Sequence, residues 1–259
     1  MMETILREGL TALGLEQSSV PSLLRYGALL EEKNKVMNLT AIKDADEVAR
    51  LHFLDSAALL NVLDFRNKTV VDVGTGAGFP GLPIRLLEPS AHVTLLDSLG
   101  KRIVFLQEVC MALGLSDVEC VHARAEEFAA LRRESFDTAV SRAVASLSVL
   151  AELCLPLVKP GGTFLAMKSV DSSEELLAAQ HAIAALGGRG PGLFDSRHGY
   201  RPPGGAGGKG KAHAENLSPV LCKNQKGPPL TAESRRRGGK LKIFYDDSLN
   251  CFDFGAFFL

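Results

Sequence analysis

Four glycines, at positions 74, 76, 78 and 81, follow an apolar run that holds one acid, Val70-Val71-Asp72-Val73. Glycine permits backbone conformations and close approaches that a Cβ forbids, so such a loop lets a ligand lie against the main chain. A helix opening just after it turns its unpaired N–H groups back toward the same point. The chemistry of this pattern is nucleotide-cofactor binding. Asp97 closes the next apolar run, where a carboxylate can accept from both hydroxyls of a ribose; a helix N-cap before Leu99 is its competing role. Gly76-Ala77-Gly78-Phe79-Pro80-Gly81 also satisfies G-x-G-x-x-G, which keeps a nicotinamide-dependent small-molecule dehydrogenase in play. Three details favour S-adenosylmethionine instead. The acid at 72 precedes the first glycine by two, the glycines alternate, and Phe79-Pro80 is bulky where a pyrophosphate needs close approach.

Two further positions complete the constellation. Ala125-Glu126 follows the third predicted strand, at the edge where an adenine would lie, although Glu126 also suits the first turn of a helix. Arg142 follows the fourth, where a substrate meets the methyl group, with a surface charge as its bland alternative. No Asn-Pro-Pro-Tyr motif is present, which argues against methylation of an adenine amino group.

The elements that must carry these residues are legible. Residues 1–65 read as an N-terminal helical cap. Leu23, Leu24, Leu29 and Leu30 recur at helical spacing, with Ser18 or Ser22 as caps, and Val48, Leu51, Leu54 and Leu59 form a second stripe. Met37-Asn38-Leu39-Thr40 separates them. Residues 66–203 alternate strands (68–73, 92–97, 118–122, 138–141, 163–168) with helices (82–87, 99–113, 125–131, 147–155, 173–186), which predicts a Rossmann-like α/β fold with a parallel, doubly wound sheet and right-handed crossovers. Pro160-Gly161-Gly162 is expected to turn the chain into the fifth strand. Residues 204–259 are dense in glycine, lysine, proline and arginine and predict an irregular tail.

A formal net charge of -1 excludes neither nucleic acid nor small molecules, because a basic patch can hide in a balanced total. Lys101, Arg102, Arg142 and Lys168 are expected at the cleft edge, with Lys33, Lys35 and Arg50 extending a basic face from the cap. The five cysteines form no C-x-x-C pair and read as reduced thiols, with no metal site expected. No leader or membrane-length apolar run is read, so a cytoplasmic protein is expected, and the lack of an obvious apolar surface stripe leads to the expectation of a monomer.

Six separated motifs, in order from about residue 20 to about 203, resemble one family. Asn38-Leu-Thr-Ala-Ile42, His52-Phe-Leu-Asp-Ser56, Val71-Asp-Val-Gly-Thr-Gly-Ala-Gly-Phe-Pro-Gly81, Leu95-Leu-Asp-Ser-Leu-Gly-Lys-Arg102, Ala125-Glu126 and Val140-Ser-Arg-Ala143 are similar to the bacterial small-subunit ribosomal RNA guanine-N7 methyltransferases, also called glucose-inhibited division protein B. The resemblance implies methyl transfer from S-adenosylmethionine to N7 of guanosine-527 of 16S rRNA. It places cofactor contacts on Gly74, Phe79, Ala125, Glu126 and Arg142, with Gly76 and Gly78 in the same loop. Asn38, His52 and Arg142 become candidates for positioning the substrate. Lys101, Arg102 and Lys168 become candidates for contacting the RNA, or the assembling small subunit.

The sequence departs from that family after Arg197-His-Gly-Tyr-Arg-Pro-Pro-Gly-Gly205. Family members close the sheet with two more strands, whereas Pro219 interrupts the one apolar stretch present here. The tail from about Gly207 is therefore read as foreign to the fold, as a reading-frame shift would make it, leaving an exposed sheet edge.

Overall fold

Val70, Val71 and Val73 are buried, as a strand covered on both faces requires, and they form the middle of the sheet. A computed structural model describes residues 1–142, 145–168, 173–189, 193–195, 220–223 and 243–245. The central strand β1 (Thr69–Val73) pairs in parallel with β2 (His92–Asp97) on one side and β4 (Phe136–Ser141) on the other. β3 (Glu119–His122) extends the first side and β5 (Val158–Ala166) the second, giving the order β3-β2-β1-β4-β5. The order reverses at β1, and a doubly wound sheet opens its crevice at the carboxyl ends of the strands at that point. The glycine loop, Asp97 and Arg142 all follow those ends.

The crossovers are α5 (Gly81–Leu87), α6 (Gly100–Leu113), α7 (Ala125–Leu131) and α8 (Leu147–Cys154). α9 (Ser173–Ala185) follows β5. Gly114 ends α6 in the left-handed region at φ 69, the conformation expected of a glycine stop. β5 corrects the expectation that Pro160-Gly161-Gly162 forms a turn. The strand already begins at Val158, and those residues sit where the register against β4 jumps from Phe136↔Val158 to Thr138↔Thr163. Gly161 takes a positive φ of 83 there, which only a glycine adopts without strain.

The cap is helical, as expected, but its second segment is not one helix. α1 (Met2–Ala12) and α2 (Val20–Met37) lead to α3 (Ala45–Val48), a π-helix over Ala49–Leu54, and α4 (Asp55–Val62). The inserted wide turn shifts the phase of the buried stripe, so Leu51 is half-buried while His52, Phe53 and Ala57 join Val48, Leu54 and Leu59 inside. Neither Ser18 nor Ser22 caps α2. Ser19 is the N-cap residue, and its hydroxyl instead donates to the Leu86 carbonyl at 2.5 Å, tying α2 to α5. Asn38 takes φ 44 and ψ 56 as the C-cap, a left-handed conformation asparagine tolerates.

The edge of the sheet beside β5 differs from the expectation. β8 (Val220–Lys223) lies antiparallel on β5, with Phe164 opposite Leu221, and β6 (Gly188–Arg189) pairs antiparallel with β8. β5 is thus covered where an open edge was expected. β7 (Leu193–Asp195) pairs in parallel with β9 (Ile243–Tyr245) as a separate ribbon. Arg197–Gly205 and the rest of the tail lie outside the described residues. Cys110 and Cys154 are buried and Cys120 half-buried, all as free thiols, with 4.0 Å between the sulfurs of Cys110 and Cys120. Among the described residues no helix is long and apolar enough to cross a membrane, and no cluster of side chains could hold a metal ion.

Candidate cofactor and substrate site

Asp72 builds the glycine loop. Its carboxylate is fully buried, and Oδ2 accepts from the Thr75 hydroxyl and the Gly81 amide, both at 2.7 Å. Those two bonds fold the loop over the end of β1 and fix the start of α5. Gly74, Gly76 and Gly78 take φ values of 71, 62 and 106, so the alternation of glycines answers a backbone need. A Cβ on Gly81 would stand 2.6 Å from Leu95 Cδ2 and 2.8 Å from Asp72 Oδ2, which explains that glycine by crowding.

Oδ1 of Asp72 has no partner. A buried acceptor without a donor is costly unless a ligand supplies one. Burial pushes the carboxyl up to about 6, against the pull of the Thr75 and Gly81 bonds and of Arg142. At neutral pH the site therefore holds a desolvated negative charge that a cationic ligand group would satisfy. S-adenosylmethionine carries an ammonium and a sulfonium, and the site fits it; a nicotinamide dinucleotide brings pyrophosphate, which this oxygen would repel.

Asp97 is also buried. Its Oδ1 accepts from Leu99 N at 2.9 Å, while Oδ2 accepts from Gly76 N at 2.9 Å and from Arg102 Nη1 at 3.1 Å. The side chain thus holds the turn that leads into α6, whose N-cap is Leu99, and braces the loop. Ala125 and Glu126 open α7, Ala125 half-buried and Glu126 exposed.

Phe79 is buried and joins the loop to the cap. Tyr26 of α2 stacks on it with ring centres 5.2 Å apart, Phe53 meets it edge-on at 5.4 Å, and the His52 ring lies at 4.7 Å. The Tyr26 hydroxyl donates to the Ala77 carbonyl, which ties the loop to α2. Arg142 lies over the same ring at 5.1 Å. Its Nη1 donates to the Leu51 carbonyl at 2.9 Å and stands 3.9 Å from Asp55 Oδ2. The π-helix presents that carbonyl, which His52 Nδ1 also reaches at 3.1 Å. Because the carbonyl only accepts, Nδ1 carries the proton and Nε2 accepts from the Thr40 hydroxyl at 2.8 Å. Burial and the nearby Arg142 lower His52 to about 3, so the ring is neutral at physiological pH. Burial raises Asp55 to about 6, against the pull of Arg142.

The structure brings Gly74, Gly76, Gly78, Phe79, Asp97, His52 and Arg142 into one connected site. Others are placed differently. Asn38 is exposed at the end of α2, as a turn asparagine would be. Lys168 is 11% exposed, donates to the Ala145 carbonyl at 2.6 Å and pairs with Glu175 at 2.9 Å; it is a structural cation and not part of a basic face. Arg102 turns onto Asp97, Lys33 pairs with Glu108 and Lys35 with Glu31, which thins the expected patch. Lys101 is exposed. Sequence reasoning missed Tyr26, Thr40, Thr75 and Asp55. Tyr26 shares the register of Leu23 and Leu30 and reads as plain core; an aromatic hydroxyl in an apolar stripe was the available signal.

Deepest in the site, the orphaned carboxylate oxygen shapes a titration. Asp72 is raised above its ordinary 3.8, so its contribution to folding stability is fully present below pH 3.8 and is lost as pH rises through about 6. A cationic ligand has the opposite preference. Cofactor affinity, measured by calorimetry, is therefore expected to fall about tenfold per pH unit below 6 and to level off above pH 7. Asp72→Asn removes that dependence; an unchanged profile in the variant would assign it to Asp55.

The rRNA small subunit methyltransferase G family model matches residues 19–191. Ribosomal RNA small subunit methyltransferase G of Exiguobacterium sp. is 48% identical over 194 residues, spanning 73% of this chain and 82% of the relative. The Alkaliphilus metalliredigens protein of that name is 48% identical over 190 residues, spanning 71% and 80%, and the Clostridium perfringens one 44% over 196 residues, spanning 74% and 82%. The matched segment runs from α2 through the glycine loop, Asp97 and Arg142 to β6, so the site lies wholly within the homology, and this chain belongs to the rRNA small subunit methyltransferase G family.

Proposed function

We propose that this protein methylates 16S ribosomal RNA with S-adenosylmethionine as donor, at N7 of a guanosine that the family resemblance assigns to position 527. The observation that carries the reading is the unpartnered Asp72 oxygen beneath a loop of positive-φ glycines, inside a family whose members are named as small-subunit ribosomal RNA methyltransferases. When bound, S-adenosylmethionine supplies an electrophilic methyl group on a sulfonium.

The residues do the rest by placement. Guanine N7 offers a free lone pair, so no proton need leave it, and the site has no need of a general base. His52 accords with that: buried, neutral and committed to Thr40 and the Leu51 carbonyl, it is a wall that holds Arg142 and Phe79 in place. Arg142 has five N–H donors, and the Leu51 carbonyl takes one. The others serve a carbonyl or carboxylate oxygen at the cleft, such as guanine O6 beside N7. Tyr26, Phe53 and Phe79 exclude water from one side, and alignment supplies the rate. Asp97 holds the ribose, with Ala125 and Glu126 at the adenine edge. The enzyme acts as a cytoplasmic monomer.

Exposed Lys101 and structural Lys168 separate by mutation. Lys101→Glu is expected to weaken binding to small-subunit RNA several-fold in a filter assay while leaving cofactor affinity unchanged. Lys168→Ala is expected to cost about 1–3 kcal/mol of stability by leaving the Ala145 carbonyl without its donor and Glu175 with only the Leu147 amide. The same RNA loss in both would restore Lys168 to the RNA face. Transfer of labelled methyl from S-adenosylmethionine to small subunits tests the function itself. Labelling of free adenine bases or of protein alone would contradict it.

A further inference from the structure

The ribose-binding acid is nearly full. An ionised carboxylate offers about four lone-pair positions, and three on Asp97 are taken, one on Oδ1 by Leu99 N and two on Oδ2 by Gly76 N and Arg102 Nη1. A ribose diol needs two. The deficit is one, so one present donor has to leave when the diol arrives.

The three donors are unequal. Gly76 N belongs to the loop that Asp72 clamps, and Leu99 N to the turn that opens α6; neither moves without rebuilding the backbone. Arg102 is on the first turn of α6, its side chain is 33% exposed, and it reaches Asp97 along a flexible stem. Its neighbour Lys101 is exposed and of the same sign. Released from Asp97, Arg102 becomes a second unpaired cation beside Lys101 at the start of α6, and the ligand chemistry that suits such a pair is a phosphodiester.

We propose that the cofactor's ribose displaces Arg102 from Asp97 and that the freed guanidinium then binds a phosphate of the RNA. Cofactor loading and RNA binding are thereby coupled through one side chain. The proposal rests on reading Asp97 as the ribose acceptor. The coupling is reciprocal, so an RNA phosphate that holds Arg102 raises cofactor affinity by the same factor. The enzyme thus favours RNA when it is loaded, at the cost of weaker cofactor binding when RNA is absent.

The test uses the full chain, S-adenosylhomocysteine as a probe that cannot turn over, and a 16S rRNA fragment. Arg102→Gln is expected to bind the probe about three- to tenfold more tightly than the parent in the absence of RNA. In the parent the probe is expected to raise RNA affinity by about the same factor, and in Arg102→Gln that gain disappears. Arg102→Lys keeps the charge without the fork and is expected to retain part of it. Circular dichroism confirms folding of each variant. Probe affinity in Arg102→Gln that is unchanged or weaker, or an RNA gain that survives in it, overturns the displacement. Asp97→Asn separates the two layers. If it keeps probe affinity, the ribose reading falls and the displacement with it; if it loses tenfold or more while Arg102→Gln does not tighten, the displacement alone falls.

Discussion

Asp72→Asn is expected to weaken S-adenosylmethionine binding by about 10- to 100-fold while leaving the melting temperature unchanged or higher. The two effects come from the same atom. Oδ2 makes the bonds to Thr75 and Gly81 that shape the loop, and an amide oxygen can accept both. Oδ1 makes none, so the amide breaks no hydrogen bond there and gives up only the attraction of Arg142. Raising a carboxyl from 3.8 to about 6 corresponds to about 3 kcal/mol of unfavourable burial at neutral pH, which the amide relieves, less the cost of a new unpaired N–H. A charge-assisted hydrogen bond to a cation is worth about 1.5–3 kcal/mol, which sets the range for lost affinity. Calorimetry and thermal denaturation on one sample read both. A variant that melts lower and binds normally would make Asp72 a purely structural residue.

Gly78→Ala is expected to be severe in both respects. The residue sits at φ 106, where a side chain is strained. The added Cβ would also collide with the Tyr26 hydroxyl and stand 2.8 Å from Leu82 Cδ1 and 2.9 Å from Leu106 Cδ2. Backbone strain and overpacking together cost about 3 kcal/mol, or roughly 6–12 °C in melting temperature for a domain of this size. Because Tyr26 holds the Ala77 carbonyl, the variant also loses the loop geometry, and cofactor binding should be undetectable by calorimetry. Gly14→Ala is the control. It too has positive φ, 68, but no atom lies within 4 Å of its Cβ, so it should lose only the strain, about 1 kcal/mol, with binding intact. Equal losses in the two variants would mean that packing against Tyr26 contributes nothing.

The parts of the fold that were legible in the sequence are those fixed by short-range pattern. Alternating apolar runs and helical stripes located β1 to β4 and α5 to α9 to within a few residues, because burial on both faces and a glycine stop leave plain marks. β5 was misread at its start, since a bulge uses the same Pro-Gly-Gly that a turn would. The strand at Val220–Lys223 was missed because four residues in a glycine-rich context carry no period; only pairing with β5 makes them a strand. The π-helix was invisible for a similar reason, as its one extra residue per turn looks like a helical stripe that drifts.

The site was legible where a residue type is demanded locally. Glycines at positive φ and acids at strand ends declare themselves. Roles set by distant partners did not. Lys168 and Arg102 read as free cations because Glu175 and Asp97 meet them only in the folded chain. Tyr26 lies 51 residues from the carbonyl it holds. His52 sat in a recognisable motif, but its neutrality follows from burial beside Arg142, which sequence alone does not specify.

The most direct test of the central claim is to incubate the full chain with methyl-labelled S-adenosylmethionine and small ribosomal subunits, then map the modified base by borohydride reduction and aniline cleavage, which break RNA at N7-methylguanosine. Methylation at N7 of guanosine-527 gives one new cleavage site in 16S rRNA, at that base, present with the parent and absent with Asp72→Asn. Label at another base, or in 16S rRNA with no cleavage site, would contradict it.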